Sequence, residues 1–420
     1  MQLPEDFIQE IRPVFGEERF ERFVKALDGE SPVSIRLNPA KAADMMPVDG
    51  EPIPWCRDGY YLPKRPNFTF DPLLHAGCYY VQEASSMFLD EVLRQLAISQ
   101  LPIAKSQKLM ALDLCAAPGG KSTLLRAVLP TDSVLYSNEP IAKRASILLE
   151  NITKWGYANH HVTNLYPKDY RKSKMKFDLI LCDIPCSGEG MFRKDPDSVK
   201  EWSLQNVEKC WQLQREIVTD AWQCLNEGGI LIYSTCTYNI KEDEENVRWI
   251  RDELGAELIP IATKPEWGIT GSLLEGFDEP VYRFIPGYTR GEGLFMAVMR
   301  KKGSPAFSPK ENGVFSSGKR CFLDQKTLVS PTETIEKSSG SPCVELTYPQ
   351  AIAYLRGEAL VLPPETPRGI VEVSFMGHPL GFVKNIGSRA NNQYPKEWRI
   401  KTTHVPQSYE PVLQVKHESL

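Results

Sequence analysis

The sequence predicts an α/β fold built on a doubly wound parallel sheet, and three observations carry the prediction. Between Leu109 and about Arg300, six runs of strand-forming apolar residues alternate with helical segments. The runs are nearly continuous in apolar character, as strands covered on both faces are. A glycine pair, Gly119 and Gly120, follows the first run, beyond the carboxyl end of a strand, where open parallel sheets bind ligands.

At 420 residues the chain is long enough for two or three cores. Residues 1–100 form a first unit. Phe7, Ile11 and Phe15, spaced four apart, predict a helix that Pro13 must end or kink. A stretch rich in proline and aromatic residues follows, including "SIRLNPAK" and "WCRDGYYLP". The α/β unit spans residues 101–302. Its predicted strands are "KLMALDL", "SVLYSNE", "HHVTNL", "FDLILCD", "GGILIYST" and "GLFMAVMR", with helices starting near Lys121, Ile141, Asn206 and Lys241. Residues 303–342 shift to Ser, Pro, Gly and Lys and read as a linker. The last unit, 343–420, combines a short helix, "PQAIAYLRG", with β-like "GIVEVSFMG" and "HPLGFVKNI", and is expected to be small, mostly β and separate.

A net charge of −5 gives no global sign of nucleic-acid binding, so any such surface must be local. No apolar run approaches the roughly 20 residues of a membrane-spanning helix. The N-terminus, "MQLPEDFIQEIRPVF", lacks a signal peptide's basic and apolar regions, which predicts a cytoplasmic protein with no membrane partner. The ten cysteines are scattered and expected to be mostly reduced. No CxxC pair occurs and the six histidines are not grouped with cysteines, so no metal is expected. The chain is expected to be a monomer.

The glycine loop reads "LDLCAAPGGKST". It is not a P-loop, because GxxxxGK[ST] needs a glycine where Cys115 stands, and it is not GxGxxG. That leaves a cofactor with an adenosine and no pyrophosphate, for which S-adenosylmethionine is the candidate. Cys115, Ala116, Ala117, Pro118, Gly119, Gly120 and Lys121 would line it. Glu139, 20 residues beyond Gly119 at the end of "SVLYSNE", is placed to receive ribose hydroxyls. Two later strands each carry a thiol toward the carboxyl edge. One ends at Asp183 and Cys186, the other at Cys236 between two threonines.

Four blocks, "DLCAAPGGKS", "DIPCSGEGMFRKDP", "STCTYNIKEDEENV" and "YRFIPGYTRGEGLFMA", occur in this order. Together they closely resemble the RNA cytosine-C5 methyltransferases of the Nop/Sun family. The last two, with "HPLGFVKNIGSRANNQYPKEWR", are most similar to its bacterial RsmF-like branch. The resemblance covers roughly residues 30 to 300 and the last 75. It implies a class I (Rossmann-like) S-adenosylmethionine methyltransferase domain. Flanking it would be a small N-terminal α+β domain that contacts substrate RNA and a C-terminal, mostly-β PUA-like RNA-binding domain. The implied partner is RNA, with 16S ribosomal RNA first. Transfer RNA is an alternative substrate, and a non-catalytic, RNA-binding ribosome assembly factor is an alternative function.

The chemistry explains a need for two thiols. C5 of cytosine is a poor nucleophile until a thiolate adds to C6, after which the C5 proton must leave and the thiolate be expelled. The resemblance implies that Cys236 attacks C6 and Cys186 assists proton removal and release. Asp183 would hydrogen-bond N3 or N4 of the base while bordering the cofactor, and Lys121 would stabilise the thiolate or the base. DNA cytosine-C5 methyltransferases instead draw their nucleophile from a Pro-Cys dipeptide. Pro185-Cys186, with Glu-Asn-Val at 245–247, keeps that arrangement open.

Many relatives carry an acid near the adenine after the third strand. Here the stretch reads "VTNLYPKDY", and Asn164 offers a donor and an acceptor instead. Tyr79, Gln82 and Glu83 in "YYVQEASSM" resemble the segment that packs beside the cofactor. Arg193 and Lys194 follow the Cys186 loop within reach of phosphates near a flipped base. Between Gly381 and Lys401, Lys384, Arg389, Lys396, Arg399 and Lys401 face one acid, Glu397, with Asn391, Asn392, Tyr394 and Trp398 among them. Basic residues interleaved with aromatic and amide side chains suit RNA.

Overall fold

The computed structural model describes residues 1–96, 108–303, 342–402, 404–406 and 408–416. The expected linker falls almost wholly outside them. Helices α1 (Glu5–Phe15) and α2 (Glu17–Leu27) open the chain. Phe7, Ile11 and Phe15 share the buried face that their spacing predicts. Pro13 is tolerated in the last turn of α1, which ends two residues on at Phe15 and is capped by Gly16 with φ of 72°.

Strand β1 (Val33–Leu37) is followed by β2 (Met45–Pro47), β3 (Glu51–Pro52) and β4 (Gly59–Leu62). Helix α3 (Pro72–His75), β5 (Tyr79–Val81) and α4 (Phe88–Gln95) complete the first unit. Its sheet has the order β3-β4-β1-β5.

The central unit starts with β6 (Met110–Asp113), α5 (Gly120–Val128), β7 (Val134–Asn138), α6 (Ala142–Trp155) and β8 (His160–Thr163). Then come α7 (Pro167–Ser173), β9 (Phe177–Asp183), α8 (Pro196–Glu201), α9 (Leu204–Cys224) and β10 (Leu225–Thr235). Helix α10 (Glu244–Leu254), β11 (Ala256–Leu258), β12 (Val281–Phe284) and β13 (Leu294–Lys301) finish it. All six expected strands are present; β11, β12, α7 and α8 were not expected. The fourth expected helix starts at Glu244 rather than near Lys241, because residues 241–243 form a turn.

The sheet order is β11-β13-β10-β9-β6-β7-β8, with β12 beside β13. Strands β8 through β10 are parallel and β13 is antiparallel. In β9, Leu179 and Leu181 enter one core while Ile180 and Cys182 enter the other. Burial on both faces is what makes the strand continuously apolar. From β6 the chain moves outward to β7 and β8, then returns to the far side of β6 as β9. That reversal is the switch point at which open α/β sheets bind ligands, and Asp113 and Asp183 end its two strands.

The C-terminal sheet joins β14 (Cys343–Glu345), β15 (Gly369–Phe375), β16 (His378–Asn385) and β17 (Ala390–Asn392), with a helix at Tyr348–Leu355. The expectation of a separate unit is corrected here. Ile35, Leu73 and Tyr79 of the first unit share one core with Tyr354, Val371 and Val383 of the last. The final strand, β18 (Leu413–Val415), pairs antiparallel with β2. Two small sheets bury more apolar surface together than either does alone, which offsets the weakness of small cores.

Candidate active site

Strands β9 and β10 run side by side, with Ser234 beside Asp183 in the parallel register. The chain leaves both at the same edge, so Cys186 and Cys236 converge, and their sulfurs lie 3.1 Å apart. The pKa of Cys186 is pushed well above the usual thiol range, first by its hydrogen bond with Cys236 and then by burial. Cys186 therefore keeps its proton at neutral pH. Gly190, in the Cys186 loop, donates its amide to the Cys236 carbonyl at 2.8 Å. A Cβ on Gly190 would stand 2.7 Å from the Gly293 carbonyl and 3.2 Å from the Cys236 Cβ, so only glycine lets the loops approach this closely.

Each loop also sends a buried carboxyl group into the other. Glu189, from the Cys186 loop, accepts from the amides of Tyr238 and Asn239 at 2.6 and 3.0 Å, from Asn239 Nδ2 at 2.8 Å and from Trp202 Nε1 at 3.0 Å. Glu242, from the Cys236 loop, accepts from the Ser187 amide at 3.1 Å, from Gln214 Nε2 at 2.6 Å and from Asn239 Nδ2 at 2.9 Å. Burial pushes both pKa values up, that of Glu242 to about 7.

Beneath Cys236, the hydroxyls of Thr235 and Thr237 both donate to Asp243 Oδ1, at 2.8 and 2.7 Å. Arg283 holds that acid and its neighbour. Its Nη1 lies 2.9 Å from Asp243 Oδ2 and donates to the Tyr238 carbonyl at 2.8 Å, while Nε donates to Glu244 Oε1 at 2.7 Å. The first unit packs on the far side of both loops. Phe7 meets Phe192 edge-on at 5.1 Å and Trp202 at 5.4 Å, and Phe23 meets Tyr238 at 4.9 Å.

On the glycine-loop side, Lys121 Nζ pairs with Asp183 Oδ1 at 2.9 Å. Burial works against the ammonium, but Asp183 and then Cys236 outweigh it, and the Lys121 pKa rises. A third of the Asp183 side chain remains open, enough for a ligand to reach it. Gly119 has φ of 119°, a conformation that favours glycine. The loop is pinned by Ala116 donating its amide to the Asn138 carbonyl at 2.8 Å, by Arg144 Nη2 donating to the Ala117 carbonyl at 3.2 Å and by Asn151 Nδ2 donating to the Pro118 carbonyl at 2.8 Å. Cys115 is a wall of this loop, its pKa driven far up by burial. Glu139 is buried, accepts from the Ile141 amide at 2.9 Å and lies 3.4 Å from Arg144 Nη1. Asn164 donates to the Glu139 carbonyl at 2.7 Å, so its amide first shapes that strand end. Gln82 lies behind the loop, 3.4 Å from where a Gly120 Cβ would be, and is held by Arg36 Nε at 2.9 Å. Glu83 caps the Ser85, Ser86 and Glu292 amides, and Tyr79 enters the shared core.

Two expected RNA contacts are corrected. Arg193 does not face solvent: Nε donates to Glu292 Oε2 at 2.9 Å, Nη1 to the Ala26 carbonyl at 3.0 Å and Nη2 to the Gly291 carbonyl at 2.7 Å. It ties α2 to the loop before β13 and has no edge left for a phosphate. Tyr394 is buried against Tyr354, with ring centroids 5.3 Å apart, and offers no exposed face for a base. Lys194, Lys384, Arg389, Lys396 and Lys401 are exposed, while Trp398 and Arg399 are half-buried.

Sequence reasoning missed Asp113, Glu189, Glu242, Asp243, Glu244 and Arg283. The acidic run "KEDEE" reads as a solvated helix start. The available signal was its position directly after a buried strand, matched by an arginine inside the apolar run "VYRFIP". Asp113 is wholly buried and accepts from Ser122 Oγ at 2.5 Å, while its Oδ1 finds no hydrogen-bond partner. Burial pushes its pKa up to about 7.

A glycine loop after the first strand, acids at the ends of its neighbours and an antiparallel strand beside β10 define a class I methyltransferase. Residues 101–300 match the family described as 16S rRNA methyltransferase RsmB/F, residues 3–84 the N-terminal domain of 16S rRNA methyltransferase RsmF, and residues 341–400 the methyltransferase RsmF PUA domain. The chain belongs to this RsmB/RsmF family of RNA methyltransferases. Ribosomal RNA small subunit methyltransferase F of Enterobacter sp. (strain 638) is 27% identical, with 94% of this chain and 95% of that protein covered. Its counterpart in Escherichia coli (strain K12) is 28% identical, with 94% and 96% covered. A crystal structure of a methyltransferase homolog protein from Pyrococcus horikoshii has a TM-score of 0.57 and 25% identity over 71% of this chain and 95% of that one.

Arg283→Met leaves Asp243 and Glu244 buried without their cation. The expected loss is about 3–5 kcal/mol of stability, measured by urea denaturation. Without the arginine Asp243, whose pKa burial raises and Arg283 lowers, binds its proton more tightly when folded, so the deficit should shrink in mildly acidic buffer and grow as pH rises.

Proposed function

We propose that this chain methylates C5 of a cytosine in small-subunit ribosomal RNA, with S-adenosylmethionine as methyl donor and a covalent adduct at Cys236. The observation that carries the reading is the pair of thiols 3.1 Å apart at the ends of β9 and β10. Direct alkylation by a bound methyl donor would need no thiol, whereas addition to C6 followed by elimination uses two groups near the adjacent C6 and C5 of one base. The ribosomal substrate follows from the relatives' names and from the exposed lysines and arginine of the C-terminal unit.

The residues present suit the methyl donor. Asp113 Oδ1 is buried and, among the described residues, has no donor at good hydrogen-bond geometry, which suits an amino group. Among the described residues, Glu139 Oε2 has just the 3.4 Å contact with Arg144, which leaves it capacity for ribose hydroxyls. Glycines 119 and 120 keep side chains out of the loop that would lie against the ligand. S-adenosylmethionine, when bound there, supplies an electrophilic methyl group.

The chain's own groups would do the rest. Asp183, held by Lys121, grips the amino or N3 edge of cytosine. The Lys121 ammonium, whose charge Cys236 itself reinforces, favours the thiolate that Cys236 must become to add to C6. Addition gives C5 the electron density to take a methyl group. The C5 proton then passes to solvent, and the C6–sulfur bond breaks to restore the aromatic ring, its electron pair returning to Cys236. Cys186, across from Cys236, serves this elimination. In the reversed arrangement of the DNA enzymes, Cys186 would instead be the thiol that adds to C6.

Bisulfite sequencing of ribosomal RNA from a deletion strain and its parent tests the reaction. One cytosine of the small-subunit RNA should lose protection only in the deletion strain; unchanged protection everywhere would refute it. The cysteines separate by what each variant leaves. Cys186→Ala should transfer the methyl group but retain the RNA as a labelled species that survives denaturing electrophoresis, and Cys236→Ala should form none. The opposite pattern reverses the two roles.

Asp113 gives a pH signature. Ionised Asp113 attracts a cationic amino group, so binding favours loss of its proton. Affinity for S-adenosylmethionine should fall as pH drops below about 7, and proton release should appear when titration calorimetry is repeated in buffers of different ionisation enthalpy. Asp113→Asn should weaken binding and flatten the pH dependence.

A further inference from the structure

A cavity of about 340 Å³ lies outside the cysteine site, where the first unit meets α6. Its walls include Phe68, His75, Tyr80, Asn151, Lys154 and Trp155. At this volume, near the low end of the roughly 300–1,000 Å³ of ligand pockets, it has room for one nucleoside-sized group.

The lining combines aromatic faces with unspent polar groups. Half-buried Tyr80 supplies a flat surface, and the buried Phe68 and Trp155 form the apolar wall behind it. The Trp155 Nε1 is buried without a hydrogen-bond partner. Asn151 spends its amide nitrogen on the Pro118 carbonyl at 2.8 Å and the Tyr80 hydroxyl at 3.3 Å, and its carbonyl oxygen has no partner among the described residues. Lys154 Nζ bonds Glu150 Oε1 at 2.5 Å and His75 Nδ1 at 3.4 Å, leaving a third donor direction.

Location decides which ligand this suits. The cavity shares a wall with the glycine loop: a Cβ on Gly120 would be 3.5 Å from the Tyr80 ring, and the next residue is Lys121, paired with Asp183. Lys154 also stands 5.7 Å from the Trp398 ring of the C-terminal unit, near the exposed Lys396 and Lys401, and Arg65 lies 5.5 Å from the Phe68 ring. The first and central units therefore wall the cavity, and the C-terminal unit reaches its Lys154 through Trp398. An RNA strand entering the cysteine site would pass such a place with its phosphates among cations and its bases free to stack.

We propose that this cavity holds an unstacked base of the substrate RNA, close in sequence to the target cytosine, and so fixes which cytosine reaches Cys236. The proposal rests on the reading of the chain as an enzyme acting on RNA. Tyr80 would stack on the base with the buried Phe68 and Trp155 closing the cavity behind it, Asn151 and Lys154 would read its edge, and its neighbour would lie beyond the glycine loop.

The full chain is crosslinked by ultraviolet light to unmodified small-subunit ribosomal RNA transcribed with 4-thiouridine, and the attached peptides are identified by mass spectrometry. Peptides containing Tyr80 or Trp155 should carry nucleotides. Thr69→Trp, which fills the cavity from an exposed position, should remove those crosslinks while keeping those from the C-terminal unit. It should also raise KM for the RNA about tenfold, the worth of one stacked base, with kcat within about twofold. Lys154→Met should raise KM in the same direction while keeping the side chain's bulk, and thermal unfolding confirms that both variants fold. Methylation by the wild-type chain with no cavity crosslink, or cavity crosslinks and KM unchanged in Thr69→Trp, overturns the proposal and leaves the methyltransferase reading intact. No crosslink and no methylation overturns both.

Discussion

Arg283, one per cent exposed, lies under the Cys236 loop between Asp243 and Glu244, two acids with no exposure at all. Burying ionised groups is costly unless each meets a partner in good geometry. Here the partners are fixed by sequence position. Arg283 comes from β12, and the acids sit where the chain turns from β10 into α10. Asp243 then hands the constraint to Thr235 and Thr237 on either side of Cys236. Glu189 and Glu242 carry it across to the Cys186 loop. The sulfur separation is thus set by groups that never touch a substrate, and a polar lattice of this kind has few other arrangements that satisfy every donor.

The flanking units extend that constraint. The N-terminal helices place Phe7 and Phe23 against Phe192 and Tyr238, one from each cysteine loop. Arg193 ties α2 to the Gly291–Glu292 segment, and Arg36 reaches from β1 to the Gly120 carbonyl and the Thr123 hydroxyl at 3.2 and 2.6 Å. The first unit therefore braces both the cysteine loops and the glycine loop. Its other face shares a core with the C-terminal sheet, which connects the outlying basic surface to the same frame.

The central sheet was legible because strands covered on both faces must be apolar throughout, as in "FDLILCD". The glycine loop, Glu139, Asp183 and both cysteines were legible because their place at strand ends gives them a chemical meaning. What escaped was set by distant partners. Arg193 and Tyr394 look like surface residues in their own segments; Glu292 and Tyr354, about 100 and 40 residues away, make them interior. The acids after Cys236 look solvated until Arg283 is placed beside them. The short strands β11 and β12 carry too few residues to show a period. The C-terminal unit looked separate because no local pattern reveals that Leu413 returns to Pro47.

Trapping the proposed covalent adduct tests the proposed division of labour between the thiols most directly. RNA carrying 5-fluorocytosine at the mapped position would be incubated with the protein and S-adenosylmethionine, then digested for mass spectrometry. Fluorine does not leave C5 as a proton does, so elimination stalls and the adduct accumulates. A methylated nucleotide attached to the peptide that contains Cys236 is the predicted result. Attachment to the peptide that contains Cys186 would contradict the account.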